Sequence, residues 1–335
     1  MRYLLRRAGF YLVALWAAIT VNFILPRLMP GDPALAYLAK IQAKNPTPAL
    51  YQALLTQFNV DPKVPIWVQY WNYLTSVLTG HLGVSYSDYP TQVTSILAQS
   101  MPWTIGLVGV SLLISFFIGT LVGILAAWWR GSLFDTAIPP ILTFLSAVPY
   151  FWMALGLIFV FSLKFAWFPN GGIGGGYDVY GFPNGPELSP AFIGSVIQYG
   201  ELPVITLVIG SLAQWVLTMR NTMVTTLAED YVLMAKAKGL PERRTMLNYA
   251  ARNAILPSVT SFSISLGLVV SGALLTEIVF NYPGIGFQLW QGISQNDYPL
   301  IEGCFMVIAL TVLIANFFSE LIYVFLDPRV RIGGR

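Results

Sequence analysis

The stretch WTIGLVGVSLLISFFIGTLVGILAAWWR, residues 103–130, carries no charged side chain until Arg130 closes it. A helix crosses the hydrocarbon core of a bilayer with about 20 consecutive apolar residues, and this run is longer than that. The whole chain agrees with it. Its 335 residues are 56% hydrophobic, 14% aromatic and only 10% charged, with a mean hydropathy of +0.66, whereas a soluble domain carries about a quarter charged residues. The expected solvent is lipid.

Five further apolar runs of this kind stand outside the first. Together the expected spans are 8–28, 103–129, 138–163, 203–219, 257–280 and 304–326, an all-α polytopic membrane protein with six transmembrane helices. The first follows Arg2, Arg6 and Arg7 and so imitates a secretory signal. Its run is too long, and Pro26-Arg27-Leu28-Met29-Pro30 follows instead of a small-residue cleavage site, so a retained anchor is expected. Lys and Arg fix the orientation, because cytoplasmic loops collect them. With the N-terminus inside, thirteen of the eighteen lie on the cytoplasmic side, from Arg2 through Arg130, Arg220, Arg252 and Arg335. Lys40, Lys44, Lys63, Lys164 and the boundary residue Arg27 lie outside. Both termini are therefore expected in the cytoplasm. Trp128 and Trp129 at one face, and Phe165, Trp167 and Phe168 at the other, suit aromatic belts.

The chain then divides into a cytoplasmic N-terminus, 1–7, a first transmembrane helix, 8–29, and an extracytoplasmic segment with amphipathic helices, 30–101. A core of five transmembrane helices, 102–326, includes outer loops 165–202 and 281–303 and a cytoplasmic segment 220–256. Residues 327–335 form a cytoplasmic C-terminus.

Several function classes are excluded by the residues that are missing. One histidine, His81, and one cysteine, Cys304, leave no His-pair or thiolate metal site and no internal disulfide. A net charge of +3 is too small and scattered for a nucleic-acid surface. The glycines at 171, 172, 174, 175 and 176 do not match G-x-G-x-x-G, and no Gly-Lys pair exists for a phosphate-binding loop. No G-x-S-x-G is present either, so neither catalytic, cofactor nor metal residues are assigned. His81, between Gly80 and Gly83, reads as a turn or surface histidine, and Cys304 as a small apolar residue.

In the first outer segment, Ile66, Trp67, Tyr70, Trp71, Leu74, Val77 and Leu78 recur at i, i+3, i+4 spacing. They predict an amphipathic helix that packs on its neighbours or rests at the lipid interface, with a docking or substrate-guiding surface as the other reading. In the third outer segment, Pro283 and Gly284 stop the preceding helix. Ile285, Phe287, Leu289, Trp290 and Ile293 are too apolar for an exposed loop, so a re-entrant or capping element is expected. Pro139, Pro140 and Pro149 predict kinks in the third span.

The segment between the fourth and fifth spans is the most informative. Leu227, Tyr231 and Met234 share a helical face, Gly239 is placed to end that helix, and Pro241 suits the first turn of the next. Two short helices joined by a sharp turn project into the cytoplasm. The knuckle is basic and holds no nucleophile or carboxylate pair. It reads as a contact for another protein, or as a solvated loop answering the positive-inside rule.

Glu229, Ala235, Gly239 and Ile255-Leu256-Pro257 resemble the E-A-A loop of ABC importer permeases at matching spacing. Met29-Pro30-Gly31-Asp32-Pro33, Glu277-Ile278-Val279-Phe280, Tyr282-Pro283-Gly284-Ile285-Gly286, Asp297-Tyr298-Pro299 and Leu326-Asp327-Pro328-Arg329 are similar to the dipeptide/oligopeptide branch of that family, which also carries nickel complexes and oligosaccharides. The resemblance implies the type I importer fold and a multi-pass place in the inner or plasma membrane. It implies a homologous second permease forming a heterodimer, two ABC ATPase subunits that bind ATP and Mg, and an extracytoplasmic substrate-binding protein. It implies, too, an ATPase-coupling interface at Glu229, Asp230, Tyr231, Ala235, Lys236, Lys238, Gly239 and Leu240. Peptides are the substrate expected from it, oligosaccharides or nickel complexes the alternative. Leu233 departs from the pattern, standing where relatives often have Arg, and the loop at 171–186 is longer than usual.

Glu277 and Glu320 are carboxylates within spans, where an ionisable group needs a partner, a cavity or a helix end. Glu277, with Tyr282, Pro283 and Gly284, is a candidate pathway or gate, with a structural hydrogen bond as the other reading. Glu320, one turn from Asn316, reads as a packing residue. An ion-coupled secondary transporter using these two carboxylates is the rival of another class.

Overall fold

The computed structural model describes residues 2–41, 47–169, 189–267 and 273–326. In chain order the helices are α1 (Arg2–Leu28), α2 (Pro33–Lys40), α3 (Pro48–Gln57), α4 (Ile66–Leu78), α5 (Val93–Trp128), α6 (Leu133–Ser146) and α7 (Tyr150–Leu157), which continues as a π-helix, Ile158–Lys164. Then come α8 (Pro190–Thr226), α9 (Asp230–Ala237), α10 (Glu242–Arg244) with a π-helix Thr245–Ala251, α11 (Arg252–Ala254), α12 (Leu256–Gly267), α13 (Leu274–Val279), α14 (Ile285–Gln295) and α15 (Tyr298–Leu326). No named strand occurs among the described residues. The Gly171–Pro186 loop, Lys44, residues 268–272 of the fifth expected span, the C-terminus 327–335 and the side chain of Glu320 lie outside what is described.

Among the described residues, three helices are long and apolar enough to cross a membrane, within α1, α5 and α8. Helices also occupy the other three expected spans, with one correction of shape. The third span is no kinked helix. It is broken into α6 and α7, which meet at 100°. Pro139 and Pro140 sit inside α6 without ending it, and the break falls at Pro149, the residue before α7. Proline disfavours helical backbone in the residue preceding it, here Val148.

Residues 1–104 and 283–317 form one compact unit, residues 105–282 and 318–335 a second. In the first unit, α2 begins on Asp32, whose carboxylate accepts from the backbone N–H of Ala34 and Leu35, with Pro33 at the first helical position. Ala34, Leu38, Leu54, Leu55, Phe58, Tyr86 and Tyr298 make a core there. The buried carboxylate of Asp297 accepts from Ser85 Oγ, from Ser87 Oγ at 2.7 Å and from Ser87 N at 2.8 Å, and its other oxygen caps α15 through Leu300 N at 3.1 Å. Arg27 Nη1 donates to Glu302 Oε1 at 2.8 Å and joins α1 to α15. The expected re-entrant element at 285–293 is the helix α14. Ile285, Phe287 and Leu289 are buried, and Ile285 N donates to Thr104 Oγ1 at 2.8 Å.

In the second unit, α5 and α8 approach closely at Gly119 and Gly123. A Cβ at Gly119 would stand 2.5 Å from Trp215 Cβ, and one at Gly123 2.7 Å from the Val216 carbonyl oxygen. Small residues of this kind allow helices to pack in lipid, where apolar burial alone gives no preference for protein over acyl chains. The ring of Trp215 packs edge-on to Phe116.

Candidate functional site

The knuckle between the fourth and fifth expected spans grows out of α8 with a single turn between them. Leu227, Ala228 and Glu229 leave the helix, each donating its N–H back into the last turns of α8. Glu229 adopts extended backbone, and its carbonyl accepts from Val232 N at 3.0 Å and Leu233 N at 3.2 Å, which starts α9. Its side chain makes no cap bond. Asp230 in the first turn and Lys236 in the last are placed favourably for the helix dipole.

Gly239 ends α9 at φ +71°. In that left-handed conformation its N–H reaches Lys236 O at 2.9 Å, and Leu240 N reaches Ala235 O at 3.3 Å. The last carbonyls of the helix are thereby satisfied. Pro241 follows in extended backbone, and its carbonyl accepts from Arg244 N and Thr245 N, each at 3.0 Å, to start α10. The expected pair of short helices with a sharp turn is present. The second one is longer than expected, because a π-helical stretch and α11 carry it on to Ala254.

Val232 and Ala235 are the buried positions of α9. Val232 joins Ile124 and Ala127 of α5, Met219 and Met223 of α8, and Ala250, Ala251 and Ala254 in a single core. Four alanines at the junction let these helices come close. Leu227 is half-buried against this core, while Tyr231 and Met234 turn outward with Leu233. Leu233 is 50% exposed and Met234 58%. Val232 belongs to this site, and sequence reading did not single it out. Its hint was the i, i+3 pairing with Ala235.

Two polar links tie the same region together. Thr222 Oγ1 donates to Ala254 O at 2.9 Å, and Lys236 Nζ lies 5.6 Å from the centre of the Trp128 ring. Nearby, Arg220 of α8 grips Asp135 of α6 with two bonds, Nε to Oδ1 at 2.5 Å and Nη2 to Oδ2 at 2.9 Å. Gly131 N donates to the same carboxylate at 3.0 Å. Arg220 was expected only as an orienting charge.

Chemically, this surface is apolar side chains ringed by charge. Glu229, Asp230, Lys236, Lys238, Arg243 and Arg244 are all exposed around Tyr231, Leu233 and Met234. Among the described residues, no group of three His, Cys, Asp or Glu is placed to hold a metal ion.

The second set of candidates is less concentrated. Glu277 is buried in α13, and its carbonyl accepts from the backbone N–H of the buried Tyr282 at 2.8 Å. Both belong to the second unit, while Pro283 and Gly284, also buried, open the segment of the first unit that leads into α14. All four are buried. His81 is exposed, its Nδ1 3.1 Å from Thr79 Oγ1, and Cys304 is buried.

Comparison with known proteins supplies the family. Residues 119–332 match the model of the binding-protein-dependent transport system inner membrane component, and residues 1–108 match its N-terminal companion. A Brucella suis (biovar 1, strain 1330) chain, provisionally named a peptide permease protein, is 34% identical over 339 residues, covering 99% of both chains. The di/tripeptide transport system permease protein DppB of Pseudomonas aeruginosa is 32% identical over 338 residues. The dipeptide transport system permease protein DppB of Escherichia coli K12 is 30% identical over 344 residues, and each comparison again covers 99% of both chains. An all-helical chain with long apolar helices, matched end to end in this way, belongs to the family of binding-protein-dependent transport system inner membrane components.

Proposed function

We propose that this chain is one transmembrane permease subunit of an ATP-driven importer for di- or oligopeptides. The observation that carries this reading is the exposed Tyr231–Met234 face of α9, mounted on a core shared with α5 and α8. It is a surface suited to an ATPase groove at the point where a push reaches the ends of two spans. Relatives named for peptide, dipeptide and di/tripeptide transport support the cargo.

On this reading the chain lies in the cell membrane with six spans and both termini cytoplasmic, which thirteen of its eighteen Lys and Arg favour. It pairs with a homologous second permease, and two ATPase subunits supply the sites for ATP and Mg. An extracytoplasmic binding protein delivers the peptide. The chain itself provides half the path and performs no hydrolysis. Closure of the ATPase dimer moves α9, and the packing at Val232 and Ala235 carries the motion into α5 and α8, so that the path opens alternately to each side. The coupling residues are Glu229, Asp230, Tyr231, Ala235, Lys236, Lys238, Gly239 and Leu240.

The test is to purify the chain from its native membrane in mild detergent, identify its companions by mass spectrometry and reconstitute the assembly. A second permease and an ATPase in stoichiometric amounts, with ATP hydrolysis stimulated by peptide and binding protein, are expected. Stimulation by oligosaccharides or nickel complexes in place of peptides would overturn the cargo. A chain that purifies alone and transports without ATP would overturn the importer.

A further inference from the structure

We propose that α4 is a membrane-interface helix whose Trp67 and Trp71 insert into the lipid beside α1. The helix, IWVQYWNYLTSVL, contains no charged side chain. One side of it is fully used. Tyr70 OH lies 2.8 Å from Thr20 Oγ1, and Asn22 Nδ2 donates to Tyr73 OH at 3.0 Å. Phe23 packs against the rings of both tyrosines, and Leu74 and Val77 lie against the cluster of Ile19, Phe23, Tyr73 and Met306. The aromatic face is wider than this contact. Trp67 is 71% exposed and Trp71 63%, with Ile66 and Leu78 bare beside them.

Two observations select lipid as the occupant of that bare stripe. First, it is continuous with the uncovered side of a span. Trp67 and Ile66 share a groove of about 300 Å³ with Trp16 and Ile24, both within the apolar stretch Gly9–Leu28 of α1. Whatever solvates Trp16 and Ile24 reaches Trp67 without a polar break. Second, the stripe has the composition of an interfacial segment. Indole rings are favoured where an apolar body meets a wet polar edge, and Lys63, exposed two residues ahead of Pro65, can reach the headgroups. In the order of the chain α2 and α3 lie between α1 and α4, so that an anchor at each end holds them near the membrane surface.

The test uses the full chain with its partner subunits, reconstituted in vesicles of phosphatidylcholine brominated near the top of the acyl chains. Bromine quenches nearby indole emission. In the double variant Trp67→Phe/Trp71→Phe, the lipid-quenched share of the emission is expected to fall, while quenching by aqueous acrylamide stays the same. Loss of the acrylamide-quenched share instead would place the rings in water and overturn the proposal. As a second measurement, p-benzoylphenylalanine placed at Trp67 is irradiated in the assembled protein. A lipid adduct is expected, and an adduct to a partner subunit would overturn the proposal in favour of a protein interface.

Discussion

Lys236 of α9 stands over the ring of Trp128 at the end of α5, 5.6 Å from its centre. The contact joins a short helix to a long apolar one. It is worth about 0.5–1 kcal/mol where solvent reaches it. Beside it, Val232 shares a buried core with α5, α8 and the helix after the turn.

Gly239 is the hinge point of this arrangement. At φ +71° with open space where a Cβ would go, the cost of Gly239→Ala is backbone strain alone, about 1–2 kcal/mol. Gly239→Pro also removes the N–H that reaches Lys236 O and forbids the positive φ. Membrane insertion of both variants should be normal. Peptide-stimulated ATP hydrolysis in the reconstituted importer should be reduced by the first and abolished by the second. Full stimulation in Gly239→Pro would remove the turn from the coupling route.

Two neighbours on α9 should separate folding from docking. Ala235→Leu forces a larger side chain into a filled core and should cost about 1–3 kcal/mol, visible as a lower melting temperature in detergent. Leu233→Arg changes a side chain that is 50% exposed and should alter stability by less than about 0.5 kcal/mol. Its effect should appear only in the affinity of the ATPase for the permease, measured by pull-down across a salt series. A melting shift in Leu233→Arg comparable to that of Ala235→Leu would contradict the assigned faces.

The Asp135–Arg220 pair should be an all-or-none element. Asp135 is nearly buried, with 4% of its side chain exposed, and Arg220 is a quarter exposed. Asp135→Asn leaves a guanidinium without its anion and should destabilise the joint of α6 and α8, by on the order of 3 kcal/mol at most given that exposure. Adding Arg220→Met should recover part of the loss in a double-mutant cycle. Strictly additive single losses would show that the two side chains do not interact.

In the first unit, Gly31 adopts φ +132°, and a Cβ there would lie 2.8 Å from Asn296 Nδ2 and Oδ1. Gly31→Ala should therefore lower the melting temperature. Asn296→Gly should rescue it in part, because Asn296 itself sits at φ 54° and glycine tolerates that backbone. The rescue stays incomplete because the strain at residue 31 persists. Absence of any rescue would mean that the two motifs do not meet.

What the sequence disclosed, and what it withheld, follow from the range of the forces involved. Apolar runs, positive loops and the Gly239-x-Pro241 punctuation act locally, so the helices, the turn and the knuckle were foreseen. Pairings between distant positions were not. Nothing in the spacing joins Lys236 to Trp128 or Asp135 to Arg220, since each partner is fixed by helix packing and not by neighbours in the chain. Nor does apolarity mark the buried face of α9, where Ala235 is buried and the more apolar Met234 is not. In a junction lined with alanines, small size decides burial over hydrophobicity. Of the three prolines expected to kink the third span, Pro139 and Pro140 lie inside α6, and the break falls at Pro149.

Seating of the ATPase on the exposed face of α9 can be read by crosslinking. A photo-crosslinking residue at Met234, 58% exposed, is irradiated in the importer assembled in its native membrane, and the adducts are identified by mass spectrometry. An adduct between this chain and the ATPase subunit is expected, with its yield changing when ATP is bound. An intact complex in which Met234 captures only lipid or the second permease would contradict it.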